Sequence, residues 1–281
     1  MVVAGRPAGK IRKEVFIMHL GKAIRLERIF NRNTGRTIIV PMDHGMTVGP
    51  ISGLVDMKNS VNQVAEGGAN AVLMHKGLVR CGHREGGRDI GLVIHLSAST
   101  KHSPYTNSKA MVGSVEDGIK MGADAVSVHV NLGDEQEQQM LAEAGRITSA
   151  ATEWGIPVLA MVYGRGPKIQ DGYDPEVVGH CARVGEELGA DVVKVNYPSS
   201  VESFRKVVDA CCIPVVIAGG AKMDTRQELI QMVHDSVLAG GAGLSVGRNI
   251  FQDDSPSSLV HVLHKVVHEG YSVEQAMQIL Q

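Results

Sequence analysis

The fold is decided by the stretch Leu188-Gly189-Ala190-Asp191-Val192-Val193-Lys194-Val195-Asn196-Tyr197. Gly189 follows the apolar end of a predicted helix, where glycine is a common C-terminal cap. The residues after it are strongly apolar and end before Pro198, which predicts a short β-strand covered by helices, as in a parallel sheet. Such a strand tolerates lysine least of all residues, so Lys194 requires an explanation.

Two interpretations of Lys194 are open. Burial would disfavour its ammonium form, lower its pKa and keep part of it as neutral amine near neutral pH. A neutral amine can attack a carbonyl group to form a Schiff base. Alternatively, the side chain extends to the strand end and pairs with a carboxylate there. The strand alone does not separate these interpretations, so the rest of the chain has to.

The same unit recurs along the chain: a helix ending in glycine, an apolar strand and a polar loop. The predicted strands cover residues 37–43, 71–75, 91–97, 125–130, 158–163, 192–197, 215–219 and 244–247. Eight such units without a long linker predict an α/β fold, a single (β/α)8 TIM barrel with a short N-terminal extension. An open doubly wound sheet would instead need Gly-x-Gly-x-x-Gly after its first strand, where this chain has Asp43-His44-Gly45-Met46-Thr47.

Length and composition agree with one soluble domain. We expect residues 1–19 to form a flexible arm and residues 20–281 to form the barrel domain of this 281-residue chain. The 28 Lys and Arg nearly balance the 30 Asp and Glu, so charge does not suggest a nucleic-acid partner. No run approaches the ~18 apolar residues of a membrane span, and the N-terminus lacks a secretory h-region. The four cysteines suggest reduced thiols in the cytoplasm.

The reactive groups of a TIM barrel come from the carboxyl ends of its strands. In chain order these ends carry Asp43, His75, His95, His129, Tyr163, Lys194, Gly219 with Gly220, and Gly247 with Arg248. The last two strand ends are the usual phosphate site, where glycine N–H groups approach the anion and a cation adds charge. The sequence therefore indicates a phosphorylated substrate. The alternative is that these glycines only permit the turns.

Acid and base groups accompany the lysine. An imine at Lys194 would draw electrons from the neighbouring C–C bond, and cleavage of that bond needs groups that accept and donate protons. Asp43 and Tyr163 can do so. Asp43 could instead cap the following turn and Tyr163 could simply pack, but three such groups in one mouth favour chemistry. Arg165 could assist with an anionic substrate.

Three strand-end histidines raise a rival interpretation, a metal-dependent aldolase or epimerase. His75, His95 and His129 could bind zinc, although their spacing is not a recognised ligand pattern. Histidines at strand ends also often form hydrogen bonds in the core, and we rank that interpretation higher. A non-catalytic sugar-phosphate binder is a third possibility, but it has no use for a buried lysine. We expect no metal and no other cofactor.

Several segments resemble the archaeal-type class I aldolase family from about residue 20 to the C-terminus. These segments are Arg25-Leu26-Glu27-Arg28-Ile29-Phe30-Asn31, Val40-Pro41-Met42-Asp43-His44-Gly45, Glu66-Gly67-Gly68-Ala69-Asn70-Ala71-Val72-Leu73, Val193-Lys194, Ala218-Gly219-Gly220 and Val246-Gly247-Arg248-Asn249-Ile250-Phe251. The resemblance implies that Lys194 forms the Schiff base, Asp43 accepts protons and Tyr163 donates them. It implies substrate contacts at Asp43, His44, Gly45, Met46, Thr47, Tyr163, Gly164, Arg165, Lys194, Gly219, Gly220, Gly247 and Arg248.

The resemblance also implies an activity. It is a transaldolase reaction that passes a ketol fragment from 1-deoxy-D-threo-hexo-2,5-diulose 6-phosphate to L-aspartate 4-semialdehyde, on an alternative route to 3-dehydroquinate and the aromatic amino acids. The alternative within the family is a class I fructose-1,6-bisphosphate aldolase, which uses the same lysine chemistry. No metal is implied, because the protonated imine is the electron sink. A ring-type homo-oligomer is implied as well, with a decamer as the candidate assembly.

Overall fold

A closed barrel of eight parallel strands forms the centre of the structure, a computed structural model that describes residues 20–280. The strands in chain order are β1 (Thr37–Pro41), β2 (Ala71–Met74), β3 (Gly91–His95), β4 (Ser97–Ala98), β5 (Ala110–Met111), β6 (Ala125–Leu132), β7 (Val158–Gly164), β8 (Val192–Val195), β9 (Val215–Ala218) and β10 (Gly243–Ser245). β4 and β5 form a separate antiparallel pair in the loop after β3. The other strands pair in chain order, and β10 pairs with β1. The predicted (β/α)8 TIM barrel is confirmed.

Each predicted strand coincides with a barrel strand, and their ends differ by no more than two residues. The pair β4 and β5 is not predicted by the sequence, because each strand has only two residues. The predicted N-terminal arm, residues 1–19, lies outside the described residues, as does residue 281.

Helices surround the barrel. They are α1 (Leu20–Ile29), α2 (His44–Val48), α3 (Met57–Gly67), α4 (Val79–Gly82), α5 (Val115–Lys120), α6 (Glu137–Trp154), α7 (Pro175–Glu187), α8 (Val201–Asp209), α9 (Arg226–Leu238), α10 (Arg248–Phe251), α11 (Pro256–Glu269) and α12 (Val273–Ile279), with a 3-10 turn at Lys76–Leu78. Gly68 caps α3 with φ +103°, and Gly189 has φ +88° just before β8, a region that favours glycine. Within residues 20–280, no helix has both the length and the hydropathy to cross a membrane.

The strands separate two apolar cores. Because side chains alternate along a strand, Val193 and Val195 of β8 point outward and pack in the core beneath the helices. Val192 points into the barrel, in a second core that also contains Ile29 and Phe30 from the end of α1. The same alternation directs Lys194 into the barrel interior near the carboxyl ends of the strands.

Candidate active site

Lys194 lies on the inner face of β8, at the height of Met161 on β7 and Val216 on β9. Only 7% of the residue is exposed. Burial lowers the pKa of its ammonium to about 8, Asp43 opposes this shift, and Arg165 adds to it. Within residues 20–280, no carboxylate lies within 4.0 Å of the ammonium, so the alternative in which Lys194 forms an ion pair at the strand end is not observed. At pH 7 Lys194 is therefore a neutral amine in about a tenth of the protein molecules.

Asp43 follows β1 and lies between two histidines. Its Oδ2 is 3.9 Å from His95 Nε2, and its Oδ1 is 3.7 Å from His44 Nδ1. Although it precedes α2, its side chain makes no capping hydrogen bond, so the capping alternative is not observed. Burial raises the pKa of Asp43, but His95, His44 and Lys194 outweigh that effect and bring it to about 2. At pH 7 His95 and His44 are mainly neutral and Lys194 is mainly charged, and Asp43 is an ionised acceptor.

Tyr163 lies on β7, beside the strand of Lys194, and is 5% exposed. Its ring packs edge-on against His129 with centroids 5.1 Å apart, and the Arg165 guanidinium carbon lies 4.6 Å from the ring centroid. Burial raises the pKa of the phenol well above its usual value, although Arg165 opposes the shift. The hydroxyl therefore stays protonated and can donate a proton.

The three histidines form a row across the mouth, with centroid distances of 5.2 Å between His75 and His95 and 6.5 Å between His95 and His129. His95 Nδ1 is 2.7 Å from Ser127 Oγ, and His129 Nε2 is 2.9 Å from Asn131 Oδ1. Burial lowers the pKa of all three, to about 4 for His95, so they are neutral at pH 7. In residues 20–280, no group of three or more His, Cys, Asp and Glu side chains has an arrangement that could hold a metal ion. The side-chain hydrogen bonds of His95 and His129 support the interpretation that these histidines form hydrogen bonds in the core.

The glycines after β9 and β10 lie too close to neighbouring atoms to be replaced by a residue with a Cβ without a shift. A Cβ on Gly219 would lie 2.5 Å from Val246 Cγ1, and one on Gly247 would lie 2.6 Å from Pro41 O. Gly220 has φ +65°. The guanidinium of Arg248 donates a hydrogen bond to Gly220 O at 3.0 Å, which places this cation beside the glycine turn. These close contacts and the positive φ require glycine at both turns, and the exposed Arg248 lies beside them at the predicted phosphate site.

The remaining predicted contact residues lie on two sides of the mouth. His44, Gly45, Met46 and Thr47 form α2 directly after Asp43, and the His44 ring contacts Phe251 of α10 at a centroid distance of 5.1 Å. Gly164 ends β7, where a Cβ would lie 2.4 Å from Val177 Cγ1. All predicted site residues thus lie at one end of the barrel, on or just after its strands.

Sequence reasoning missed three residues of this mouth. Ser127 and Asn131 on β6 are completely buried and orient His95 and His129. Their inward positions follow from the alternation along β6, which could have identified them. The third residue, Lys109, precedes β5, and its pKa is lowered first by burial and then by Arg165. No periodic pattern marks its position.

Comparisons with known proteins place this chain in a family. The family described as DeoC/LacD family aldolase matches residues 37–253. A Halobacterium salinarum protein named 2-amino-3,7-dideoxy-D-threo-hept-6-ulosonate synthase is 42% identical over 257 residues, which is 92% of this chain and 95% of that protein. A Streptomyces griseus protein named 2-amino-4,5-dihydroxy-6-oxo-7-(phosphonooxy)heptanoate synthase is 39% identical over 249 residues, 89% of this chain and 91% of that protein.

A solved structure agrees with these relatives. It is described as the Schiff base forming fructose-1,6-bisphosphate aldolase with its reaction intermediates. The two share 28% identity with a TM-score of 0.81, and the match covers 88% of this chain and all of that one. The closed barrel, the buried lysine and these matches together show that the chain belongs to the DeoC/LacD family of aldolases.

Proposed function

We propose that the chain is a lysine Schiff-base transaldolase that makes 2-amino-3,7-dideoxy-D-threo-hept-6-ulosonate. Its substrates are 1-deoxy-D-threo-hexo-2,5-diulose 6-phosphate and L-aspartate 4-semialdehyde. The observation that carries this proposal is Lys194, an amine buried in the barrel wall with a pKa near 8 and with Asp43 and Tyr163 at the same mouth. The name of the Halobacterium salinarum relative supports the choice of product.

The first half of the reaction forms and splits an imine. Neutral Lys194 attacks the donor ketone next to the methyl group, and loss of water gives the protonated imine. Ionised Asp43 takes the proton of the donor hydroxyl as the C–C bond breaks, and the bonding electrons move into the imine to give an enamine. A phosphorylated dicarbonyl fragment leaves, and the three-carbon fragment stays on Lys194.

The second half reverses these steps with another aldehyde. The enamine carbon attacks the aldehyde carbon of L-aspartate 4-semialdehyde and forms a new C–C bond. The developing alkoxide takes a proton from the Tyr163 hydroxyl, which burial keeps protonated. The proton that Asp43 accepted in the first half then passes to the Tyr163 phenolate, so both groups return to their starting states. Water then hydrolyses the imine, and the product and free Lys194 are released. The water lost in the first half balances the water consumed here.

A second candidate product follows from the Streptomyces griseus relative. The two product names share the 2-amino group, the oxygen functions at C4, C5 and C6, and the carboxylate, but one has a methyl group at C7 and the other a phosphonooxy group. Disconnection between C4 and C5 gives L-aspartate 4-semialdehyde in both cases. The retained fragment is hydroxyacetone for the first product and dihydroxyacetone phosphate for the second. Arg248 and the glycine turn favour the second, because they offer a cation to a phosphate.

A product assay tests the proposal. The purified protein is incubated with L-aspartate 4-semialdehyde and, separately, with the hexodiulose phosphate, dihydroxyacetone phosphate or fructose 1,6-bisphosphate, and the products are identified by mass spectrometry. We expect the seven-carbon product from the hexodiulose phosphate at the highest kcat/KM. Cleavage of the bisphosphate without transfer to the semialdehyde would instead support the class I fructose-1,6-bisphosphate aldolase. A faster reaction of dihydroxyacetone phosphate would support the second candidate.

We further propose a cytoplasmic homo-oligomer, a ring with a decamer as the candidate, in which residues 20–281 form the catalytic domain. The four cysteines are free thiols, which supports a reducing compartment. Ile24 is 49% and Trp154 is 53% exposed, and the bond from Arg25 Nη1 to Gly155 O brings their helices together. Exposed apolar side chains in one area are typical of subunit contacts.

A further inference from the structure

The hairpin of β4 and β5 carries a cation that the proposed mechanism does not use. Lys109 stands directly before β5, and its ammonium donates hydrogen bonds to Ser99 Oγ at 2.5 Å and to Thr106 O at 3.3 Å. Both acceptors are neutral. In the described part of the chain, no carboxylate lies within 4.0 Å of this ammonium. Lys109 is therefore a partly buried cation without an ion-pair partner.

Hydrogen bonds hold this hairpin to the end of β6. The side-chain amide of Asn131 donates to Asn107 O at 2.5 Å, and the backbone N–H of His129 donates to Ser97 Oγ at 3.0 Å. Ser108 Oγ donates to a carboxylate oxygen of Asp134 at 2.6 Å. The anchors at Asn107 and Ser108 directly precede Lys109 and β5 directly follows it, so its backbone is held at the mouth beside β6.

The end of the next strand, β7, carries a second cation. Arg165 N donates to Leu132 O at 2.9 Å, which ties the start of its loop to the end of β6. Burial and the charge of Arg165 both lower the pKa of Lys109, whereas Asp43 and Asp134 act in the opposite direction. Lys109 is partly buried and Arg165 is exposed, and two like charges on neighbouring segments are unfavourable unless an anion lies between them. The pair thus has the properties of an anion site.

This pair lies on the side of Lys194 away from Arg248. Around the barrel, Lys109 and Arg165 stand at β6 and β7, Lys194 is on β8, and the glycine turns with Arg248 follow β9 and β10. A substrate joined to Lys194 can therefore extend toward either cationic flank.

We propose that Lys109 and Arg165 form the anion pocket for the acceptor half of the substrate and make the enzyme specific for aldehydes that carry an anionic group. This inference rests on the proposed function. The released fragment and the incoming aldehyde occupy the same space, because the bond formed in the second half replaces the bond broken in the first. The released fragment ends in a phosphate and L-aspartate 4-semialdehyde ends in a carboxylate at a similar distance. One pocket serves both anions in turn.

Lys109→Met tests the pocket, with Lys101→Met as the matched control, because Lys101 is an exposed lysine of the same loop. With hydroxyacetone as the uncharged donor and L-aspartate 4-semialdehyde as the acceptor, we expect Lys109→Met to lower kcat/KM for the acceptor by about 10- to 100-fold, mainly through KM, since a charge-assisted hydrogen bond is lost. With propanal, an acceptor without charge, kcat/KM should match that of the unchanged protein. Lys109→Arg should recover most of the preference for the semialdehyde, and Lys101→Met should change neither value.

Two outcomes would contradict the proposal that Lys109 and Arg165 form an anion pocket. An equal loss with both acceptors would mean that Lys109 has only a structural role, and unchanged kinetics with both would mean that it does not contact the acceptor. Borohydride reduction with hydroxyacetone separates this question from the proposed function. Modification of Lys194 in Lys109→Met would show that the imine still forms. Absence of modification in the unchanged protein would defeat the proposed function itself.

Discussion

Lys194 combines burial with a nearby negative charge. Its pKa near 8, against an ordinary 10.5, means that the fold disfavours the ammonium form by about 3 kcal/mol. Below pH 8 Lys194 is protonated in both the folded and the unfolded chain, so the full cost of burying the ammonium lowers the stability of the fold. Between pH 8 and 10.5 only the unfolded chain holds it, so this group's contribution to stability becomes more favourable as pH rises. The protein thus keeps a reactive amine at the expense of stability near neutral pH.

This pKa predicts the pH dependence of imine formation. With hydroxyacetone, a donor without ionisable groups, kcat/KM should rise about tenfold per pH unit well below pH 8 and level off above it, because the neutral amine is the reactive form. Asp43, with a pKa of about 2, and His95, with a pKa of about 4, keep their charge states over pH 6 to 9. A pH series of initial rates checks this. A flat or falling profile between pH 6 and 8 would contradict it.

The strand pattern predicted the positions of Lys194, Asp43 and Tyr163 but not that of Lys109. Lys194, Asp43 and Tyr163 could be placed at one mouth because each ends an apolar strand, and parallel strands bring these ends together. Lys109 could not be placed in this way, since its position depends on the bond from Asn131 on β6 to Asn107 in the loop before β5. Such side-chain bonds between distant segments leave no local pattern in the sequence.

The helix α7 packs closely on the strand that carries the lysine. Gly185 of α7 faces β8, where an added Cβ would lie 2.7 Å from Val193 Cγ2. Gly179 in the same helix has open space, with no atom within 4 Å of an added Cβ. The absence of a side chain at Gly185 therefore lets α7 lie close against β8, the strand on which Lys194 pairs with Met161.

These two glycines form a matched pair for a stability test. Gly179→Ala should stabilise the protein by up to about 1 kcal/mol, because alanine favours helix. Gly185→Ala should destabilise it by about 1 to 2 kcal/mol, since overpacking against Val193 exceeds the same gain. Thermal unfolding of both variants at one protein concentration gives the comparison. A Gly185→Ala variant as stable as Gly179→Ala would contradict the claim that α7 packs closely on β8 at Gly185.

At the level of elements, the barrel strands followed from hydrophobicity and helix-ending glycines, whereas the hairpin did not. Ser97, Ala98, Ala110 and Met111 form too short a pair for any period to appear. The hairpin depends instead on tertiary contacts, such as the bond from His129 N to Ser97 Oγ. It is also the element that brings Lys109 to the mouth, so the sequence indicated Arg165 of the proposed acceptor pocket but not Lys109.

The closed barrel gathers all the site residues into one mouth within a single chain. The proposed oligomer has a candidate contact area in the exposed apolar side chains of Ile24 and Trp154.

Light scattering after size-exclusion chromatography checks the assembly. We expect a mass that is a multiple of 30.0 kDa, with ten subunits as the candidate number. Trp154→Glu should reduce that mass if its area forms a contact, because a buried charge without a partner is costly. A monomer at micromolar concentration in the unchanged protein would contradict the proposed ring.

The most direct test of the account is reduction with borohydride in the presence of the hexodiulose phosphate, followed by mass mapping of the peptides. Lys194 should carry the added sugar fragment, and Lys194→Met should remain unmodified. Tyr163→Phe serves as the matched control, because it should lose most turnover but still form the imine and be modified at Lys194. An unmodified Lys194, or modification of another lysine in its place, would contradict the account.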